Sequence, residues 1–122
     1  MTRSTFVDYV TQDLLSGVRG VSARAMFGGH GLYRDGIIFG IIVDDTVYFK
    51  ADETNRADYE KRGSEAFTYA AKGGKKVAMS YWEVPAEILD DREAIVEWAE
   101  RSWKINRSKH TGPRPKGTRY KK

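Results

Sequence analysis

Near the N-terminus, hydrophobic positions recur every four residues: Phe6, Val10 and Leu14, with Val7 and Leu15 flanking the same side. This spacing predicts a helix over about residues 4–15 with one face able to pack. Ser4 is the candidate N-cap, and Gly17 the candidate left-handed residue that ends the helix. From Arg24 to Lys50 the period falls to two and glycines punctuate the chain. Residues 24–27 and 31–33 read as one strand, bent or bulged at Gly28-Gly29. Asp35-Gly36 signals a tight turn, because hairpin turns of that kind need positive φ. Residues 37–43 form the most hydrophobic run of the chain, Asp44-Asp45 make the next turn, and residues 46–50 pair back.

A short helix is expected from Thr54 or Asn55 to Arg62, stopped by Gly63. Residues 65–71 and 76–84 then form a second hairpin around Lys72-Gly73-Gly74-Lys75, with Phe67 and Tyr69 alternating on one strand and Val77, Met79 and Tyr81 on the other. Pro85 cannot extend the ladder and opens a helical turn over residues 86–89. Asp90 with Glu93 resembles a capping box. The last helix is expected to run to about Trp103 or slightly beyond, with Ile95, Trp98, Ala99 and Trp103 on one face. The order α-β-β-β-α-β-β-α implies an α+β fold, a mainly antiparallel five-stranded sheet with helices packed on one face.

The run at 37–43 carries a further implication. Simple alternation sends Ile37, Phe39, Ile41 and Val43 one way and Ile38 and Ile42 the other, with Tyr48 joining the second group from the neighbouring strand. Three helices do not easily cover both faces of such a sheet. Ile38, Ile42 and Tyr48 are therefore the candidate interface, most simply of a homodimer; the alternative is that the chain's own loops and a helix cover them.

Composition narrows the function classes. At 122 residues one domain is the default, and 40% hydrophobic residues with 7 Tyr, 5 Phe and 3 Trp can supply its core. No cysteine is present, which excludes a disulfide framework, a thiolate zinc site and a cysteine nucleophile. No apolar run approaches the roughly 18 residues of a membrane span, and residues 1–10 lack the apolar stretch of a secretory signal, so a cytoplasmic address without membrane contact is expected.

The formal net charge of +4 averages two unlike segments. Lys104, Arg107, Lys109, Arg114, Lys116, Arg119, Lys121 and Lys122 are basic, with no acid among them, whereas residues 1–103 hold 13 basic against 17 acidic side chains. The division expected is a domain over residues 1–105 and a basic tail without regular structure over 106–122, rich in glycine and proline and poor in apolar surface. Those eight cations are the candidate phosphate contacts, able to hold DNA or RNA weakly without reading bases. Truncation after Ile105 is expected to leave the fold intact.

Catalytic patterns fail their spacing tests. Gly28-Gly29-His30-Gly31 and Gly73-Gly74-Lys75-Lys76 do not match a phosphate loop or a dinucleotide fingerprint. His30 and His110 are the only histidines and lie far apart in the chain, so no metal site is expected. The pairs Asp44-Asp45, Asp52-Glu53 and Asp90-Asp91 fall where turns and helix starts want acceptors. No nucleophile–base arrangement is visible, so no catalytic residue and no cofactor are assigned. A small ligand at the glycine bend near His30 is the remaining alternative to an interaction role.

The ordered series Arg24-Ala25-Met26-Phe27-Gly28-Gly29-His30-Gly31-Leu32-Tyr33, Asp35-Gly36, Phe39-Gly40, Val47-Tyr48-Phe49-Lys50, Asn55-Arg56-Ala57-Asp58-Tyr59, Phe67-Thr68-Tyr69, Met79-Ser80-Tyr81-Trp82, Pro85 and Leu89-Asp90-Asp91 resembles the TfoX (Sxy) N-terminal domain. It covers about residues 6–103, as in a stand-alone member without the C-terminal domain. The resemblance implies that Met26, Phe27, Gly28, Gly29 and Gly31 are structural motif residues. It also implies a non-catalytic α+β domain without a cofactor, related to regulators of bacterial competence genes and transcription that act through protein partners.

Overall fold

Residues Val21–Met26 (β1), Gly29–Arg34 (β2), Ile37–Val43 (β3), Thr46–Lys50 (β4), Ala66–Ala70 (β5) and Lys76–Glu83 (β6) are strands, and Thr5–Tyr9 (α1), Arg56–Glu60 (α2), Ala86–Leu89 (α3) and Arg92–His110 (α4) are helices. The structure is a computed structural model and describes residues 5–26, 28–70 and 72–110. The expected N-cap Ser4 lies outside them. All strand pairs are antiparallel, in the order β1-β2-β3-β4-β6-β5, so the fold is α+β with six strands in place of the expected five.

The extra strand comes from the glycine pair. β1 and β2 are not one bent strand; they pair from Val21↔Arg34 to Met26↔Gly29. Gly28 has φ +79°. A residue without a Cβ enters that region at no steric cost, so the chain reverses here where a bend was expected.

One core lies between the sheet and the four helices. Leu32, Phe39, Ile42, Val47 and Phe49 from the sheet meet Val7, Tyr59, Ile88, Ile95 and Trp98 from the helices. Phe39 and Phe49 touch edge to face at 5.6 Å, as do Tyr59 and Trp98 at 4.7 Å. Burying each such side chain stabilises the fold by about 1.5–3 kcal/mol. The first helix continues as a π-helical turn, Val10–Leu14, closed by Leu15 N–H donating to the Val10 carbonyl at 2.9 Å. Gly17 does not take the expected left-handed conformation; a Cβ there would lie 2.8 Å from Val96 Cγ2, so its role is close approach to α4.

β3 departs from simple alternation. Leu32 pairs with Gly40, but Tyr33 pairs with Ile38, which leaves Phe39 as an extra residue in a β-bulge. Phe39 and Gly40 consequently both point toward the core. A Cβ on Gly40 would lie 2.7 Å from the Tyr48 carbonyl oxygen and 2.9 Å from Phe49 Cδ1, so only glycine fits as the second inward residue. Beyond the bulge the faces exchange: Ile41 and Val43 turn outward and Ile42 turns in.

α4 starts on Asp91, whose Oδ1 accepts from Glu93 N–H at 3.1 Å and Ala94 N–H at 3.0 Å; the expected Asp90 box is displaced by one residue. At its other end the helix continues to His110, beyond the expected boundary at 105. The reason is in the sheet. Ladder pairing of β3 with β4 stops at Gly40↔Phe49, and carbonyls beyond that point take side-chain donors. Ser102 Oγ donates to the Lys50 carbonyl at 2.7 Å, and Asn106 Nδ2 to the Ile38 carbonyl at 2.9 Å. Ser102 and Asn106 are four apart, so they share one face of the helix. Trp103 Nε1 donates to the Arg34 carbonyl at 2.9 Å. Truncation after Ile105 would remove Asn106, which is buried, and with it the donor to the Ile38 carbonyl. The remainder of the expected tail, 111–122, lies outside the described residues.

Candidate interaction surface

The face of the sheet opposite the helices is apolar at its centre, with Arg24, Lys50 and Glu83 on the same side around it. Gly31, Ile41 and Tyr48 lie side by side across β2, β3 and β4, and Gly29, Val43 and Thr46 form the next row. Tyr33 and Ile38 pair on the same face. Ile41 is only 9% exposed, yet it belongs to this side and not to the helix-facing core. A Cβ on Gly31 would come within 2.8 Å of Met26 Sδ and 2.9 Å of Tyr33 Cε1, so its absence lets these side chains close over β2.

The sheet curls so that its two ends face one another. Ala66 pairs with Trp82 but Thr68 pairs with Ala78, an irregularity that bends the β5–β6 hairpin. Phe67 reaches back to Tyr48, with ring centroids 5.0 Å apart. Met26 from the β1 edge, Ile41 and Val43 from the centre, and Phe67, Tyr69 and Met79 from the hairpin thereby line one cleft of about 570 Å³. Tyr69 is 46% and Met79 37% exposed on its wall. A second open cleft adjoins it, lined in part by Val7, Gly28, His30, Asp44 and Asp45.

Of the three candidate interface residues, the structure keeps two on this face. Ile38 and Tyr48 are half-buried there. Ile42, 2% exposed, sits in the helix-facing core because the bulge reverses its side, and it drops out of the candidate surface. Ile41, Val43, Phe67, Tyr69 and Met79 take its place. For the last three the signal was the alternation along residues 67–69 and 77–81; for the first two it was hidden by the bulge. Burial, with the Glu83 and Asp44 carboxylates nearby, pushes the Tyr48 phenol up.

A separate cationic area forms at the end of α4. Burial lowers the Lys50 ammonium from its ordinary range, and neighbouring Lys109 adds to the effect, with Asp52 opposing it. Lys50 Nζ donates to Ser80 Oγ at 2.6 Å. Of the candidate phosphate contacts, Lys104, Arg107 and Lys109 are exposed on the last turns of α4, and Arg107 stacks on Trp103 at 5.3 Å. Arg114, Lys116, Arg119, Lys121 and Lys122 lie outside the described residues. Among the described residues no three of His, Asp or Glu come together in a manner that could hold a metal ion, and no helix is long and apolar enough to cross a membrane.

Residues 13–105 match the family model of the TfoX N-terminal domain. The chain belongs to that family. No curated protein matches it. The matched span opens inside the π-helical turn and closes one residue before Asn106, so it contains the whole sheet and most of α4. Within this TfoX N-terminal domain, the motif glycines have separate tasks: Gly28 reverses the chain, while Gly29 and Gly31 leave the β2 row of the apolar face without side chains. Met26 ends β1 and lines the cleft. Phe27 lies outside the described residues.

Proposed function

We propose that this chain is a non-catalytic interaction module of the TfoX type, cytoplasmic and working in transcriptional regulation through protein contacts. The observation that carries the reading is the apolar face of the sheet, where Tyr69 and Met79 stand exposed beside a cleft of about 570 Å³, while among the described residues the helices pack mainly on the other side and reach this one only where Asn106 meets Tyr81. Contiguous exposed apolar surface of this kind is characteristic of recognition sites. Capture experiments from an extract of the native host test it. The paired substitution Tyr69→Glu, Met79→Glu should abolish retention of specific partners without lowering the melting temperature, because both side chains are exposed. Retention unchanged by that pair would refute the reading.

A second reading, weak nucleic-acid binding through the basic C-terminal segment, is favoured by the concentration of positive charge where Lys50 meets Lys109. On this reading Lys104, Arg107 and Lys109 contact phosphates. Replacing all three with alanine should reduce the slope of log K against log salt by about 2.7, at about 0.9 per contact. An unchanged slope would exclude them.

A further inference from the structure

We propose that the apolar face is closed by a second copy of this chain, packed about a two-fold axis that passes through the cleft. The inference rests on the reading of that face as an interaction surface, and it names the partner. Two features of the face are self-complementary, as an isologous contact requires.

The first is shape. Tyr69 and Met79 are two of the three large hydrophobic side chains that stand exposed among the described residues, and both flank the cleft of about 570 Å³. A protrusion beside a hollow on the same face lets each copy fill the other. The protrusion lies on the bent β5–β6 hairpin, whose outer strand β5 has no strand neighbour on its far side among the described residues.

The second is charge. The β3 wall of the cleft ends at Val43 and runs directly into Asp44 and Asp45, both exposed. The hairpin wall runs through Met79 and Val77 to the exposed Lys75 of the turn, with Lys76, also exposed, beside it on the opposite face of β6, and residues 70–82 contain no acid. One wall thus terminates in carboxylates and the other in ammonium groups. A two-fold axis between the walls turns each copy's lysines toward the other's aspartates, twice per dimer. A uniformly acidic or basic partner would meet one attractive and one repulsive wall. Exposed ion pairs add little affinity by themselves; here they select the orientation, and the apolar centre supplies the attraction.

Sedimentation equilibrium on the full chain tests the inference. At high micromolar concentration the mass should be twice 13.9 kDa. The pair Tyr69→Glu, Met79→Glu should return the monomer, melting where the wild type melts when diluted to monomer, without the rise in melting temperature with concentration that association gives the wild type. Lys75→Glu with Lys76→Glu in one protein, and Asp44→Lys with Asp45→Lys in another, should each weaken self-association by about a hundredfold, through like charges brought face to face. Mixed together, the two variants should form a heterodimer, since both walls are then opposite in sign. Failure to recover association on mixing would overturn the two-fold register, because a merely damaged fold or face cannot be rescued this way. Should the reversed aspartate turn not fold, Asp44→Asn with Asp45→Asn serves instead; the dimer should weaken and lose its salt sensitivity, and an equally tight, equally salt-sensitive dimer would overturn the inference. A monomer at all concentrations, or a dimer indifferent to Tyr69 and Met79, also overturns it. The interaction reading fails separately: a monomer whose partner capture still depends on Tyr69 and Met79 leaves that reading standing while removing the second copy.

Discussion

Replacing Gly40 with alanine adds one methyl group, and the position allows no room for it. The new Cβ would lie 2.7 Å from the Tyr48 carbonyl oxygen, 2.9 Å from Phe49 Cδ1 and 3.3 Å from Leu32 Cδ1. The first of these is backbone in the β3–β4 ladder, and Phe49 and Leu32 are themselves fully buried, so none can withdraw without displacing the core. Overpacking of this type costs about 1–3 kcal/mol. Alanine recovers about 0.5–1 kcal/mol by narrowing the unfolded ensemble. The net loss is then centred on about 1.2 kcal/mol and at most about 2.5, which lowers the urea midpoint by about 0.6 M when the denaturant slope is about 2 kcal/mol per M. Equilibrium unfolding followed by tryptophan fluorescence measures it, with the slope expected to stay constant. In a Phe49→Leu background the same substitution should cost less, since one of the three clashes is relieved. An unchanged midpoint, or a penalty independent of the residue at 49, would mean that Gly40 does not face the core. The bulge at Phe39, and with it the assignment of Ile41 and Val43 to the outer face, would then be wrong.

Other substitutions follow from the same geometry. Asn106→Ala strips the Ile38 carbonyl of its donor in a site only 7% exposed and should cost about 1–3 kcal/mol, read by thermal or chemical melting. Asp44 and Asp45 hold φ of 51° and 58°, where a Cβ is disfavoured. Asp45→Gly relieves about 1–2 kcal/mol of that strain and returns about 0.5–1 kcal/mol to the unfolded ensemble, so a net gain of about 0.7 kcal/mol is expected, and a lower melting temperature would contradict this. The hydrogen bond from Arg101, with its charge, holds the Asp58 carboxyl below the usual carboxylate range, although burial opposes it. A depressed carboxylate contributes stability above its unfolded pKa of about 3.9 and loses it as pH falls through the lower folded value. Wild type and Arg101→Ala should therefore differ by about 0.2–1 kcal/mol at neutral pH, the pair being a third exposed, and converge in strong acid.

Most of the secondary structure was legible in the chain because its signals are local. Four-residue spacing marked the first helix, Asp35-Gly36 the β2–β3 turn, and paired glycines the β5–β6 turn. What was not legible depends on contacts between distant residues. Gly28-Gly29 reads as a bend within one strand; that it is a reversal is decided by pairing that extends to Val21 with Arg34, far from the glycines. One surplus residue at Phe39 is invisible to alternation, yet it moves Ile42 into the core and Ile41 out of it. Ser102 and Asn106 look like ordinary polar positions on a helix, since nothing nearby in sequence says that backbone carbonyls of β3 and β4 will face them. The candidate surface was accordingly half legible. That one sheet face would be apolar follows from the run at 37–43, whereas the cleft exists only because the bent hairpin brings Phe67, Tyr69 and Met79 opposite Met26 and Val43.

The reach of α4 across the splayed strands bears on how the chain is made. Lys50 is bonded by a residue 52 positions later and Ile38 by one 68 positions later. Proteins emerge from the ribosome N-terminus first, so the central strands appear well before the side chains that complete them. Until the segment containing Asn106 is released, the Ile38 carbonyl lacks that donor and the nascent sheet has an uncovered hydrophobic layer, although the Lys50 carbonyl already accepts from Asn55 Nδ2 at 3.2 Å. Folding of this domain is thus a late event in its own synthesis, and the interval before it is when a chaperone would have most to hold.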